Sequence, residues 1–232
     1  MSAGGAAAAR LPNLGGGSGS IPTPALQVKS LRVAPIPFIV AKGIFLRHHY
    51  LHSMPGGTRL TIGVFRASQF VGAAAFGAGP ANAHRLVQGA SRSDCLTLTR
   101  LWLEDDLPPN SESRVLGVLN RHLQTATTVK FLVTYADPKV GHNGTIYQAT
   151  GWIYTGLSQP SPLLRFEDGS PRHSRSVAQV LGTRSLAHLR RNGVTVEQVG
   201  GVPKHRYVYF LDQSWRARLA TEPLPYPKRG AA

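Results

Sequence analysis

Residues Leu98–Leu119, LTRLWLEDDLPPNSESRVLGVL, decide how the chain is to be read. Together with Cys95–Thr97 in front of them, CLTLTRLWL alternates as a strand does. Acids and two prolines, Glu104 to Asn110, end that strand. Val115, Leu116, Leu119 and Leu123 then recur at helical spacing behind Asn110 or Ser111 as a cap. A strand, a polar turn and a helix whose first amides face the strand's end form an anion site from backbone geometry alone. Glu112 in the first turn suits the dipole of an ordinary capped helix but would repel a pyrophosphate, so both readings stay open here.

Working outward, VKFLVTY reads as a buried strand, GTIYQATG as the start of a short helix and WIYTG as a further strand. Upstream, LTIGVFR and QFVGAAAFG flank the polar turn Ala67-Ser68 and read as an antiparallel hairpin. PFIVAKGIFLRHHYLHS fits one face of a helix or a strand running into a helix. Downstream, SVAQVLGTRSLAHLRRNG predicts two short helices joined at Gly182-Thr183, and KHRYVYFLD a last strand. The order predicts a mixed α/β (α+β) layer, not a repeated βαβ array. We expect a flexible Gly/Ala/Ser/Pro-rich tail over 1–34, a core over 35–156, and a basic C-terminal elaboration over 157–232 that completes the fold.

Among 232 residues there are 26 Lys+Arg and 11 Asp+Glu, a net charge of +15, and no acid precedes Asp94. A chain this basic gains affinity for a polyanion by releasing counterions, and nucleic acid outranks a membrane because no basic amphipathic helix stands out. Cys95 is the only cysteine, which excludes an internal disulfide and a multi-cysteine zinc site. The longest apolar run is interrupted by Lys42, so the expectation is a soluble protein of the cytoplasm.

The segment Tyr135–Gly156, YADPKVGHNGTIYQATGWIYTG, sets Asp, His, Asn and three Tyr beside four Gly just after a buried strand. A structural loop needs only a turn residue or two, so this density points to a site. Taken alone, Asp137 before Pro138 also reads as a turn starter and Tyr147 as an aromatic tying the loop to the core. Arg100 lies among apolar neighbours and needs a carboxylate, such as Asp137, or a ligand phosphate to offset its desolvation.

The strand–turn–helix unit resembles the GNAT acyltransferase superfamily, although its usual glycine-bearing turn is replaced here by Asn110-Ser111-Glu112-Ser113-Arg114. The set RHHYLHS, LTRLWL, LPPNSESRVLG, YADPKVGHNGTIYQATGWIYTG and KHRY, spanning about residues 40–212, resembles the Mom family of bacteriophage DNA-modification proteins, which are similar to GNAT enzymes in fold. The resemblance implies a GNAT-like, mostly antiparallel central sheet flanked by helices. It implies transfer of a carbamoylmethyl (acetamido) group to the exocyclic amine of adenine in double-stranded DNA, which shields phage DNA from restriction in the bacterial host. It points to Asp137, Tyr147, Arg100 and, from the His-Tyr pair, His49 as catalytic residues. It further implies acetyl-CoA or a related acyl donor at Asn110, Ser111, Ser113 and Arg114.

Lys204, His205 and Arg206, with Arg172, Arg175, Arg184, Arg190 and Arg191, are candidates for phosphate contacts. A paired adenine has to be flipped out, so Tyr50, Trp152 or Tyr147 is a candidate clamp. His49, His142, Asp137 and Tyr147 were weighed as an iron site, though no local ligand motif supports one. The rival readings are an ordinary acetyltransferase acting on a protein or small amine, and a non-catalytic DNA-binding protein. A zinc deaminase is excluded by the single cysteine.

Overall fold

The computed structural model describes residues 31–183 and 185–228. Seven strands form the central sheet: β1 Leu31–Pro35, β2 Thr58–Arg66, β3 Gln69–Gly77, β4 Cys95–Leu103, β5 Phe131–Ala136, β6 Ile153–Leu157 and β10 His205–Phe210, in the order β1-β2-β3-β4-β5-β10-β6. Every neighbouring pair is antiparallel except β4 and β5, which are joined in parallel through helix α2, Ser111–Ala126. This is the mixed, mostly antiparallel sheet flanked by helices that the sequence predicts.

The packing explains why β3 reads as a nearly continuous apolar run. Successive side chains of a strand point to opposite faces. Ala74 and Phe76 meet Val115, Leu116, Leu119 and Leu123 of α2 in one core, whereas Ala73 and Ala75 meet Ala41 and Phe45 of α1, Phe38–His48, in another. Both faces of the sheet are therefore covered. Each leucine that α2 buries contributes about 1.5–3 kcal/mol, so the helix is held by its apolar stripe more than by its ends. Its ends differ from expectation: Asn110 sits in the left-handed region at φ 68 with no side-chain cap, and Ser111 Oγ donates instead to the Pro108 carbonyl at 2.6 Å.

One irregularity shapes the sheet. Ala75 pairs with Arg100 and Phe76 with Leu98, which leaves Thr99 as an extra residue in β4. A bulge of this kind bends the strand that carries it. Thr99 Oγ1 donates back to the Ala75 carbonyl at 2.9 Å, and the parallel pairing with β5 runs only from Cys95↔Phe131 to Leu98↔Thr134. Beyond that point β4 and β5 part.

Two boundaries are corrected. Residues 31–34, placed in the tail from composition, belong to β1, which pairs with β2 from Leu31↔Arg66 to Pro35↔Ile62. The basic C-terminal part is an insertion between two strands of the main sheet, since β10 returns to lie between β5 and β6. The insertion holds β7 Leu163–Phe166, β8 Pro171–His173, α4 Ser174–Leu181, α5 Leu186–Arg191 and β9 Val196–Val199, with sheet order β8-β7-β9. It has a small core of its own in Leu164, Val177, Leu189 and Val196.

Close approach of β3 to β4 requires glycine at position 72: a Cβ there would lie 2.6 Å from the Trp102 carbonyl oxygen and 3.2 Å from Leu103 Cα. Backbone atoms of a central strand cannot step aside. Gly72→Ala is expected to cost about 2 kcal/mol and to lower Tm by about 5 °C in a thermal melt; an unchanged Tm would contradict this packing.

Candidate active site

Where β4 and β5 part, a cleft of about 930 Å³ opens. Its walls are Leu98–Leu103 of β4, Thr134–Ala136 of β5, the end of α1 with His48–Tyr50, and the loop 141–147, with Asp105, Glu112, His205 and Lys228 also facing it. Parallel strands that separate leave backbone donors and acceptors without sheet partners, so the position suits a ligand.

The Tyr135–Gly156 segment is held in place from behind. Gly144, at φ +82, lies so close to Tyr207 that a Cβ would collide with its ring. The Tyr207 hydroxyl donates to the Asn143 carbonyl, and Gln148 Nε2 donates to that hydroxyl at 3.1 Å. Helix α3, Thr145–Gln148, then carries Tyr147 into the cleft with its ring 5.4 Å from both Trp152 and Tyr207. Burial raises the Tyr147 pKa, opposed by its hydrogen bond with Thr134. The phenol is therefore neutral and a donor at physiological pH.

His49 is nearly inaccessible, at 6% exposure. Burial, then the charges of Arg100, His52 and His142, lower its pKa to about 4. Its Nδ1 accepts the Leu51 amide at 3.1 Å, so the neutral ring carries its proton on Nε2. That makes His49 a hydrogen-bond donor and not a base at neutral pH. Its ring stacks on Tyr50 at 4.5 Å, and Tyr50, 47% exposed, meets His142 edge-on at 5.6 Å. Burial, then the Asp137 charge, raises the Tyr50 pKa, while Arg100 opposes the rise. Asp137, Tyr50 and Arg100 thus share one electrostatic neighbourhood.

Arg100 is not held by Asp137. Its guanidinium donates to the Ser53 carbonyl at 3.1 Å, to Ser53 Oγ at 3.1 Å and to the Thr99 carbonyl at 2.7 Å, and burial lowers its pKa. Asp137 instead pairs with Lys204 Nζ at 2.8 Å and accepts the Lys139 amide at 3.0 Å, capping the turn Pro138–Val140. Lys204, assigned to phosphate from sequence, is therefore the partner of Asp137; the turn-starter reading of Asp137 holds, and the residue sits between Ala136 and Pro138, which line the cleft, without lining it itself.

Other assignments separate. Trp152, considered as a base clamp, is fully buried in the core. Of the four residues assigned to a cofactor, Asn110, Ser111, Ser113 and Arg114, none lines the cleft, whereas Glu112 and Asp105 do. Ser113 Oγ donates to the Asn110 carbonyl at 2.9 Å. The start of α2 thus offers carboxylates where a pyrophosphate would lie and does not fit one. Among the described residues no group of three His, Cys, Asp or Glu gathers to hold a metal, so the iron site weighed from sequence does not form. Cys95 is buried and its thiol pushed up to about 12, which suits core packing and not nucleophilic chemistry.

The cationic assignments divide likewise. Arg206 is committed to Thr155, through Oγ1 at 2.8 Å and the carbonyl at 2.9 Å. His205 Nδ1 meets the Tyr154 hydroxyl at 3.0 Å while its ring faces the cleft. Arg172 pairs with Asp168 at 2.5 Å and lies over Phe166, and Arg190 donates twice to the Val196 carbonyl. Arg191 is exposed on α5, Arg175 lies in α4, and Arg184 lies outside the described residues. No helix among the described residues is long and apolar enough to cross a membrane. His48, set aside in favour of His49 because it does not precede Tyr50, also lines the cleft and stacks on Trp102 at 4.7 Å, and sequence reasoning missed Thr134 and Lys228.

The His49 shift sets a pH dependence. With a folded pKa of about 4 against 6.5 unfolded, the unfolded chain binds the proton first, so this contribution to stability is complete above pH 6.5 and is lost as pH falls toward 4. The loss amounts to about 3 kcal/mol. Urea midpoints between pH 7 and 4.5 should fall in the wild type and fall less in His49→Gln; parallel curves would contradict the assignment.

The model of the Mom protein family matches residues 30–228. Methylcarbamoylase Mom of Escherichia phage Mu is 30% identical over 207 residues, covering 86% of this chain and 85% of its own. Solved structures of similar shape include the ribosomal-protein-S18-alanine N-acetyltransferase of Escherichia coli, at TM-score 0.43 and 10% identity over 78% of this chain and 94% of its own. An N-acetyltransferase of Staphylococcus aureus aligns at TM-score 0.42 and 8% identity over 78% and 97%. By the family match and the phage relative, the chain belongs to the Mom protein family.

Proposed function

We propose that this chain is a DNA-modifying transferase that adds a carbamoylmethyl group to the exocyclic amine of adenine in double-stranded DNA, in the cleft between β4 and β5. The observation that carries the reading is the convergence on one cleft of residues by which the chain resembles its family: His49, Tyr50, Arg100 and Tyr147 line it, and the charge of Asp137, between the lining residues Ala136 and Pro138, is felt at Tyr50. Membership of a family with a relative named as a methylcarbamoylase supplies the reaction class.

The donor and acceptor pattern suits a flipped adenine. The base presents ring nitrogens as acceptors and its amine as a donor. His49 Nε2–H is a donor for the former and the Asp137 carboxylate an acceptor for the latter, while the Tyr147 hydroxyl, bonded to Thr134, offers an oxygen lone pair and its ring edge. Tyr50 offers a half-exposed ring for stacking. The amine lone pair is delocalised into the ring, so a carboxylate that accepts the N–H hydrogen bond and orients the amine contributes where the chemistry is hardest. No step is assigned to coenzyme A, because Glu112 and Asp105 occupy the wall where its pyrophosphate would rest.

DNA from bacteria expressing the protein, digested to nucleosides and weighed by mass spectrometry, should contain an adenosine heavier by one acetamido group. Asp137→Ala should reduce its yield about 100-fold or more while Tm confirms folding. Unmodified adenosine from soluble wild-type protein would favour the ordinary acetyltransferase or the non-catalytic DNA binder.

A further inference from the structure

Beyond β10 the chain runs back across the sheet and ends its described course in the cleft. A turn over Gln213–Arg218 leads to Leu219, which bridges to Val87, and the Ala220 amide donates to the Leu86 carbonyl at 2.8 Å. The segment then crosses β6, the edge strand of the sheet. The Leu224 amide donates to the Tyr154 carbonyl at 2.9 Å, the Tyr226 hydroxyl donates to the Trp152 carbonyl at 2.9 Å, and the Pro227 carbonyl accepts from Gln148 Nε2 at 3.5 Å. Prolines at 223, 225 and 227 alternate with these contacts and fix φ at each step, so the strap loses little further freedom in holding this path. Its product is Lys228, whose exposed side chain faces the cleft.

Lys228 approaches from the β6 and α3 side. Arg100 faces the same cleft from β4, two strands away from the β10–β6 edge in the sheet order. Arg100 is largely withdrawn from water and bonded to a hydroxyl and two carbonyls, none of which offsets its charge. These are the two Lys/Arg side chains among the residues lining the cleft; the carboxylates that line it are Asp105, in the turn after β4, and Glu112, in the first turn of α2, while Asp137 is paired with Lys204. An anion entering the cleft is repelled by the carboxylates and drawn to the two cations.

We propose that Lys228, delivered by the C-terminal strap, and Arg100 form a two-sided clasp for a phosphate-type anion. The anion is either a DNA phosphodiester beside the presented adenine or a phosphate of the group donor. The proposal rests on the functional reading above for what enters the cleft, but its test does not require turnover.

The full chain, Lys228→Ala and Lys228→Arg are titrated with a short fluorescent DNA duplex at several salt concentrations and, separately by calorimetry, with inorganic pyrophosphate. If the clasp takes DNA, Lys228→Ala weakens duplex binding about fivefold or more and makes the log–log salt slope shallower by about one, while Lys228→Arg keeps most of the affinity. If it takes the donor's phosphate, duplex binding is unchanged and pyrophosphate binding falls several-fold. Unchanged binding of both probes overturns the proposal. Nucleoside masses from the same strains separate the two claims: a modified adenosine alongside unchanged binding in Lys228→Ala removes the clasp and leaves the chemistry, whereas unmodified DNA alongside a changed salt slope does the reverse.

Discussion

Thr99 is one residue more than β3 can match, and the candidate site depends on that surplus. The bulge lets β4 stay paired with β3 through Leu103 while it leaves β5 after Leu98. Without it the two parallel strands could remain together and the cleft would be sheet. Its position also determines which side chains face the opening: Arg100 follows the bulge directly, and Thr134, at the last paired position of β5, meets the Tyr147 hydroxyl while donating its own proton to the Leu98 carbonyl at 3.2 Å. A backbone irregularity in one strand thus sets the floor, the nearest cation and the depth of the pocket.

The electrostatics of the cleft follow from that geometry. Burial, and then the charge of Arg100 beside it, hold His49 neutral, so it becomes a fixed donor. Asp137 is kept at the edge by Lys204 and by the turn it caps, close enough for its charge to be felt at the Tyr50 hydroxyl. Lys204 immediately precedes β10, so the same pair ties the insertion's exit to the cleft edge. Carboxylates at the start of α2 oppose the binding of a second anion there. The cleft therefore combines two cationic side chains, Arg100 and Lys228, two carboxylates, Asp105 and Glu112, and the neutral donor His49.

Much of this was legible in the sequence because it rests on local pattern. The hairpin around Ala67-Ser68, the apolar stripe of α2 and the two helices meeting at Gly182-Thr183 each follow from side-chain periodicity and turn chemistry, and the structure forms all of them. His49, Arg100 and Tyr147 line the cleft: the strand of Arg100 and the short helix of Tyr147 follow from pattern, whereas the segment ending at His49 fits a helix or a strand running into one until its packing is seen. The failures were non-local. LRVAP looks like tail until β2 is available to pair with it, and no local feature tells a C-terminal appendage from an insertion whose last strand returns to the main sheet. Partners of charges were equally hidden: Lys204 looked like a free cation because Asp137 is 67 positions away in the chain, and Lys228 reaches the cleft only through a strap whose contacts are tertiary. Ser111 and Ser113 looked available for an anion, yet their hydroxyls satisfy carbonyls of the preceding turn.

The central claim is that adenine enters the opening between β4 and β5. A duplex carrying a photoreactive adenine can be irradiated with the protein and the attached peptides identified by mass spectrometry. The account predicts attachment within His48–Tyr50 and the loop 141–147, the walls on either side of the opening. Attachment confined to the insertion, residues 158–203, would place DNA on the chain but its adenine outside the cleft, and would contradict the account.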